Sequence, residues 1–161
     1  GAAASDRYYP FSSVELFLSS ENTLMINAPL VCDDTLQTND IARIYPDGSF
    51  TILGRKDNVI NSGGIKVQAE EIERLLQSSI PVPFVITSVP DRRLGQAVTL
   101  LIEGQMEISA LGTKLESVLA SYYRPKYIYT VNHIPQTGNG KINRKECRVL
   151  AESLQLLGRQ E

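Results

Sequence analysis

The sequence predicts an α+β protein in two parts. A small β-hairpin subdomain covers 1–54, a polar link covers 55–58, and a compact α+β domain with a small sheet and about three helices covers 59–161. Three observations carry this. Up to residue 54 the apolar runs are short and broken by turn clusters, as strands are. Beyond 58, apolar residues recur three and four apart, as on helix faces. The charge changes at the same place: residues 1–54 hold 7 acids and 2 bases, net −5, and residues 55–161 hold 11 acids and 14 bases, net +3.

The elements follow in order. Val14 to Leu18 and Thr23 to Ile26 read as one hairpin, with Ser19-Ser20-Glu21-Asn22 as its turn. Ile41 to Tyr45 and Ser49 to Leu53 read as a second, because Pro46 sets φ and Gly48 tolerates positive φ. Thr38-Asn39-Asp40 reads as a polar turn before that strand, and Ser62-Gly63-Gly64 as another turn. A helix is expected over 68–77, with Ala69, Ile72, Leu75 and Leu76 inward and Glu70, Glu71 and Glu73 outward near its positive end. Strands are expected at 82–88 and 96–103, on either side of Pro90-Asp91-Arg92-Arg93. The strongest helical period is at 107–123, through Ile108, Leu111, Leu115, Val118, Leu119 and Tyr122, and Pro125 stops it. Residues 126–132 alternate as a strand, with Tyr127, Tyr129 and Val131 on one face. Residues 135–140 form a loop, and a last helix covers 144–157.

Composition excludes several classes. An apolar fraction of 42% with 21% charged residues is that of a globular protein, not a coiled coil or a disordered chain. A net charge of −2 argues against nucleic acid as a partner. No apolar run is long enough to span a bilayer, so no membrane is expected, and the first residues lack the pattern of a secretory leader. Cys32 and Cys147 form neither a disulfide framework nor a zinc pattern, which points to reduced thiols, a cytoplasmic setting and no metal site. His133, the only histidine, reads as structural or exposed.

Two segments can carry chemistry. Pro135-Gln136-Thr137-Gly138-Asn139-Gly140-Lys141-Ile142-Asn143-Arg144 is a glycine-rich loop ending in lysine just before a helix. It is not a P-loop, since Pro135 stands at the first glycine position and Ile142 follows the lysine. It is not a dinucleotide fingerprint, since Asn143 stands at the third glycine position. A cation on such a loop can reach an anionic ligand. The second segment, GRKDNVINSGGIKV from Gly54 to Val67, runs on to Glu70-Glu71-Ile72-Glu73. Its paired glycines let backbone approach another surface closely.

Taken with Thr38-Asn39-Asp40, these segments resemble the adenylate-forming superfamily of acyl-CoA synthetases, peptide-synthetase adenylation domains and luciferases. There a Thr-Gly-Asp segment, a Gly-Arg-x-Asp segment running to Glu-Ile-Glu, and a Pro-x-Thr-x-x-Gly-Lys-x-x-Arg segment occur in this order. The resemblance covers about 38–145. Within the family, Thr38 to Asp40 and GRKDNVINSGGIKV look most like the o-succinylbenzoate–CoA ligases of menaquinone biosynthesis.

The resemblance implies an enzyme that joins a carboxylic acid to ATP with Mg2+ and then passes the acyl group to coenzyme A. It implies that Asp40 and Arg55 bind the ribose and phosphate of the nucleotide, and that Lys141 is the mobile catalytic lysine. It implies that Asp57 is the hinge, and that Gly63, Gly64 and Ile65 line the pantetheine tunnel for CoA. Asn39 stands where glycine is usual, and it too tolerates positive φ. The family's phosphate-binding loop does not occur in residues 1–37. The expectation is therefore the C-terminal part of a longer enzyme. Residues 1–54 would be the end of a large N-terminal domain, which is the partner of a mobile lid, and the chain alone would be inactive. Two alternatives remain: a fatty-acyl- or aryl-CoA ligase of the same family, and a non-catalytic lid-like module that binds CoA, a nucleotide or a protein.

Overall fold

The computed structural model describes residues 6–159. The chain divides into two compact units, 1–57 and 58–161.

The first unit is an antiparallel meander of β1 (Glu15–Leu18), β2 (Thr23–Asn27), β3 (Leu36–Ile44) and β4 (Phe50–Arg55), paired in chain order. The two expected hairpins are thus one sheet, because β3 pairs with β2 as well as with β4. Asn22, with φ 61°, makes the first turn, and Gly48, with φ 84°, makes the third. The expected turn at Thr38 to Asp40 is instead part of β3, whose register shifts in its pairing with both neighbours. Asn39 does not use positive φ there. Such irregularities sharpen local twist and re-aim side chains.

The second unit has one five-stranded sheet. Its strands are β5 (Val59–Ser62), β6 (Ile65–Gln68), β7 (Phe84–Asp91), β8 (Gly95–Glu103) and β9 (Tyr127–Val131). The helices are α1 (Ala69–Leu76), α2 (Ile108–Val118) and α3 (Arg144–Gly158). The α+β class and the helix order are as the sequence predicts. The tight β5–β6 hairpin is an addition, since only its Gly63-Gly64 turn is expected from sequence. β7 runs along one edge of β8. The other edge is shared by β5, at the Gly95 end, and by β9, parallel at Thr99 to Glu103.

β8 explains its own sequence. Val98, Leu100 and Ile102 face a core with α1 and α2, whereas Ala97 and Leu101 face a second core with Cys147 and Ala151 of α3. A strand covered on both faces reads as a continuous apolar run rather than an alternating one. Tyr127, Tyr129 and Val131 pack on the α3 side and Ile128 on the other, as the alternation in β9 requires.

Two helix boundaries differ from the sequence pattern. α2 ends at Val118, Leu119 is extended, and a short 3-10 turn covers Ser121–Tyr123. Leu119 is still buried, so the periodic apolar signal continues past the helix that produced it. Pro90 and Asp91 belong to β7, and Arg92 to Leu94 alone make the turn into β8. No helix among the described residues is long and apolar enough to cross a membrane.

Candidate functional site

The sequence-predicted residues divide between the two units, and each unit is described by itself. In the first, Asp40 and Arg55 are direct partners across the β3–β4 ladder. Arg55 Nη1 donates to Asp40 Oδ1 at 2.9 Å, with both side chains partly exposed. The Asp40 backbone N–H donates to Thr38 Oγ1 at 3.1 Å, and the Thr38 hydroxyl donates to the Leu24 carbonyl at 2.9 Å. Thr38 thereby fixes the local path that presents Asp40. The arrangement is an oriented, partly exposed carboxylate. It can accept hydrogen bonds from a diol, beside a guanidinium that can neutralise phosphate. These residues therefore fit a nucleotide's sugar and phosphate. Asp57 lies in a single 3-10 turn, Lys56–Asn58, where the first unit ends.

In the second unit, Gly63 (φ 60°) and Gly64 (φ 84°) form the β5–β6 turn. The Gly63 N–H donates to the Leu94 carbonyl at 2.9 Å, which sets this turn beside the β7–β8 turn. A Cβ on Gly64 would meet nothing within 4 Å, so its face is open. Ile65 follows, half exposed. Backbone is therefore open to a ligand at Gly64, whereas the Leu94 side chain stands close to Gly63.

Lys141 lies elsewhere in the unit, on an exposed tight turn. The Thr137 N–H donates to the Lys141 carbonyl at 2.7 Å and the Gly140 N–H to the Thr137 carbonyl at 2.9 Å. Gly140 has φ 76°, which only glycine adopts readily. Gln136 and Ile142 bridge across the base, and the Asn143 N–H donates to the Pro135 carbonyl at 2.9 Å. Asn143 then caps α3 by accepting the Glu146 N–H at 3.2 Å. Lys141 makes no ion pair with any described residue, so its ammonium is available to a ligand. No group of three His, Cys, Asp or Glu side chains able to hold a metal ion occurs among the described residues.

Sequence reading missed two residues here. Glu70 and Glu73 were expected to face outward, but their side chains are only 17% exposed. Glu73 takes two parallel hydrogen bonds from Arg144, both 2.9 Å, and the Ile86 N–H at 3.0 Å. The i, i+3 spacing of Glu70 and Glu73 places them on one helix face, which is the signal that could have found them. Partial burial works against the Arg144 charge. The hydrogen bonds and charges of Glu73 and Glu70 outweigh it and hold the pKa above its usual value. One turn along α3, burial pushes the Cys147 thiol up to about 11, so it is a packing group rather than a nucleophile. His133 is exposed, with Nδ1 3.2 Å from Glu103 Oε2.

No protein-family profile matches the chain. Curated relatives do. The chain is 38% identical over 126 residues to triostin synthetase I of Streptomyces triostinicus, a match covering 75% of the chain and 24% of that protein. It is 31% identical over 152 residues to a mitochondrial acyl-coenzyme A synthetase of Mus musculus, covering 88% and 26%. It is 33% identical over 113 residues to the 2-succinylbenzoate–CoA ligase of Lactococcus lactis, covering 70% and 25%. The chain thus spans about a quarter of the length of these relatives. Among solved structures, an acyl-CoA synthetase-like protein of Dyadobacter fermentans superposes with TM-score 0.55 at 30% identity, over 91% of this chain and 44% of that one. Coronafacic acid ligase of Pectobacterium brasiliense superposes with TM-score 0.75 at 24% identity, over 94% and 33%, a likeness of fold alone.

Proposed function

From the premise that this chain belongs to the adenylate-forming superfamily of AMP-forming acyl-CoA ligases, we propose that it is the C-terminal part of an ATP-dependent acid–thiol ligase. The whole enzyme adenylates a carboxylic acid and transfers the acyl group to coenzyme A. The observation that carries the reading is Lys141: an ammonium with no ion pair among the described residues, on a glycine turn at the root of a capped helix.

In the first half-reaction a carboxylate oxygen attacks the α-phosphorus of ATP. The new P–O bond forms as pyrophosphate leaves. Both reactants are anionic, and charge builds on the phosphoryl oxygens. A protonated lysine between them offsets the repulsion and stabilises that charge, the kind of contact whose loss costs about 2.7–4 kcal/mol of barrier. Asp40 accepts from the ribose hydroxyls and Arg55 stands beside ribose or phosphate. Magnesium screens the phosphates when bound. In the second half-reaction the CoA sulfur attacks the acyl carbon and AMP leaves. Gly63, Gly64 and Ile65 then line the path of the pantetheine.

The Gly63-Gly64 turn sits at the β7–β8 turn, whereas the Lys141 turn is rooted through Glu73 at the first half of β7. Two separate edges of one small domain suit two half-reactions, with residues 59–161 as the mobile lid, 55–58 as the hinge at Asp57, and 1–54 as the end of the large domain. The Lactococcus relative favours o-succinylbenzoate as the acid, in menaquinone biosynthesis. A fatty or aryl acid is the alternative. A cytoplasmic setting agrees with the unjoined thiols of Cys32 and Cys147.

The test is pyrophosphate release with MgATP, o-succinylbenzoate and CoA, comparing the intact protein with the 161-residue chain. Release by the intact protein alone is expected. Release only with a fatty or aryl acid would replace the substrate, and release by the short chain would overturn the part-enzyme reading. In the intact protein, Lys141→Ala abolishes adenylation and spares transfer from preformed adenylate. Asp57→Pro impairs thioester formation more than adenylation, and an unchanged second step would remove the hinge. An equal fall in both steps would remove the assigned roles.

A further inference from the structure

Lysine is a long, flexible side chain, so the delivery of its charge depends on where its backbone is held. The Lys141 turn holds itself together with a few backbone hydrogen bonds, but these do not fix it to the rest of the unit. Its incoming end attaches at Ile134, buried in the core under α3 with its N–H on Glu103 Oε2 at 2.8 Å, and its outgoing end attaches three residues after Lys141. Arg144 grips Glu73 through Nη1 and Nη2, both at 2.9 Å, and its Nε lies 4.0 Å from Glu70. A fork-on-fork pair fixes orientation as well as distance, which a single point contact does not. Glu73 Oε1, which takes Arg144 Nη1, also accepts the Ile86 N–H of β7. Glu70 in turn accepts from the side chains of Asn58 and Gln68. One polar chain therefore runs from Asn58, the first residue of the second unit, through Glu70, Arg144 and Glu73 to the outer edge of β7, an edge strand of the sheet. Its members are mostly buried, with Arg144 28% and both glutamates 17% exposed, so water does not substitute for it easily.

We propose that Glu73 and Arg144 are positioning residues for Lys141, a clamp that makes the lysine turn and the first residues after Asp57 move as one piece. This rests on the role proposed for Lys141. A rotation at Asp57 then arrives at the ammonium without slack. Misplacement of a reacting group by about 1 Å can cost on the order of a hundredfold in rate.

Two arms test it. In the 161-residue chain, hydrogen exchange is measured with Glu73→Gln and with Arg144→Lys, which keeps the charge and loses the fork. The Thr137, Gly140 and Asn143 amides should exchange at least about tenfold faster, the equivalent of one charge-assisted hydrogen bond, while β7–β8 amides stay protected. No change at the turn, or an equal rise everywhere, would overturn the clamp. If Glu73→Gln does not fold, Arg144→Lys carries the test. In the intact enzyme both variants should lower the adenylation kcat by about tenfold or more, with KM for ATP and acid and the transfer from preformed adenylate unchanged. A fall in both half-reactions would show damage to the fold and would overturn the positioning role. Lys141→Ala runs alongside. If it abolishes adenylation and the clamp variants do not affect it, the clamp alone is wrong. If Lys141→Ala leaves adenylation intact, the function proposed for Lys141 falls, and the positioning role with it.

Discussion

At the scale of residues, Asp91 shows how a turn can hold a charge. Lys126 donates to its carboxylate, and the backbone N–H groups of Leu94 and Arg93 do so as well. These bonds, the Lys126 contact first, hold the Asp91 carboxyl well below the usual carboxylate range. Its proton is therefore bound more weakly in the folded than in the unfolded chain. The stability it contributes is present above the unfolded value of about 3.9 and is lost as pH falls through the folded value. Urea unfolding of Asp91→Asn against the parent should show a less stable variant near neutrality and a gap that closes with acid. A gap that ignores pH would place the effect in packing instead. Asp91 was readable only as part of a turn, because the partner that matters, Lys126, comes from beyond α2. The same is true of Glu73 and Arg144. Their residue types were visible and their pairing was not, since it joins α1 to the start of α3. Lys141, Asp40 and Arg55 stood out earlier through the resemblance of their three segments, in order, to the adenylate-forming superfamily.

At the scale of elements, what the sequence showed well was periodicity. The three helices follow it because each buries one stripe: Ala69, Ile72 and Leu76 in α1, Leu111 and Leu115 in α2, Cys147 and Ala151 in α3. The β5–β6 hairpin was illegible because its strands are only four residues each and half polar. Its turn makes a separable prediction. Gly63→Ala and Gly64→Ala both put an L-residue at positive φ, which costs roughly 1–2 kcal/mol. Only the first also brings a Cβ to 3.2 Å from Leu94 Cδ2. Gly63→Ala should therefore lower the urea midpoint further than Gly64→Ala. Equal midpoints would mean that the Leu94 side chain gives way freely.

At the scale of the whole molecule, the division falls after Asp57, ahead of the β5–β6 hairpin and of the first helical period in α1. The order of strands in the second sheet was not legible, because pairing between distant segments leaves no local mark. β9 lies beside β8 although α2 and its flanking segments, residues 104–126, intervene. This has a consequence for how the chain folds. The β5–β6 and β7–β8 hairpins close over two or three residues and can form within about 1–10 μs. The parallel β8–β9 pair must wait until the intervening segment has been looped back, at an entropy cost that no local contact offsets beforehand. β9 is thus a late addition to a sheet already nucleated by its neighbours. Val131→Ala should speed unfolding and leave the refolding rate nearly unchanged in stopped-flow measurements, and slowed refolding would move β9 into the nucleus. The last strand to join is then the first to leave, and the segment that follows it carries Lys141.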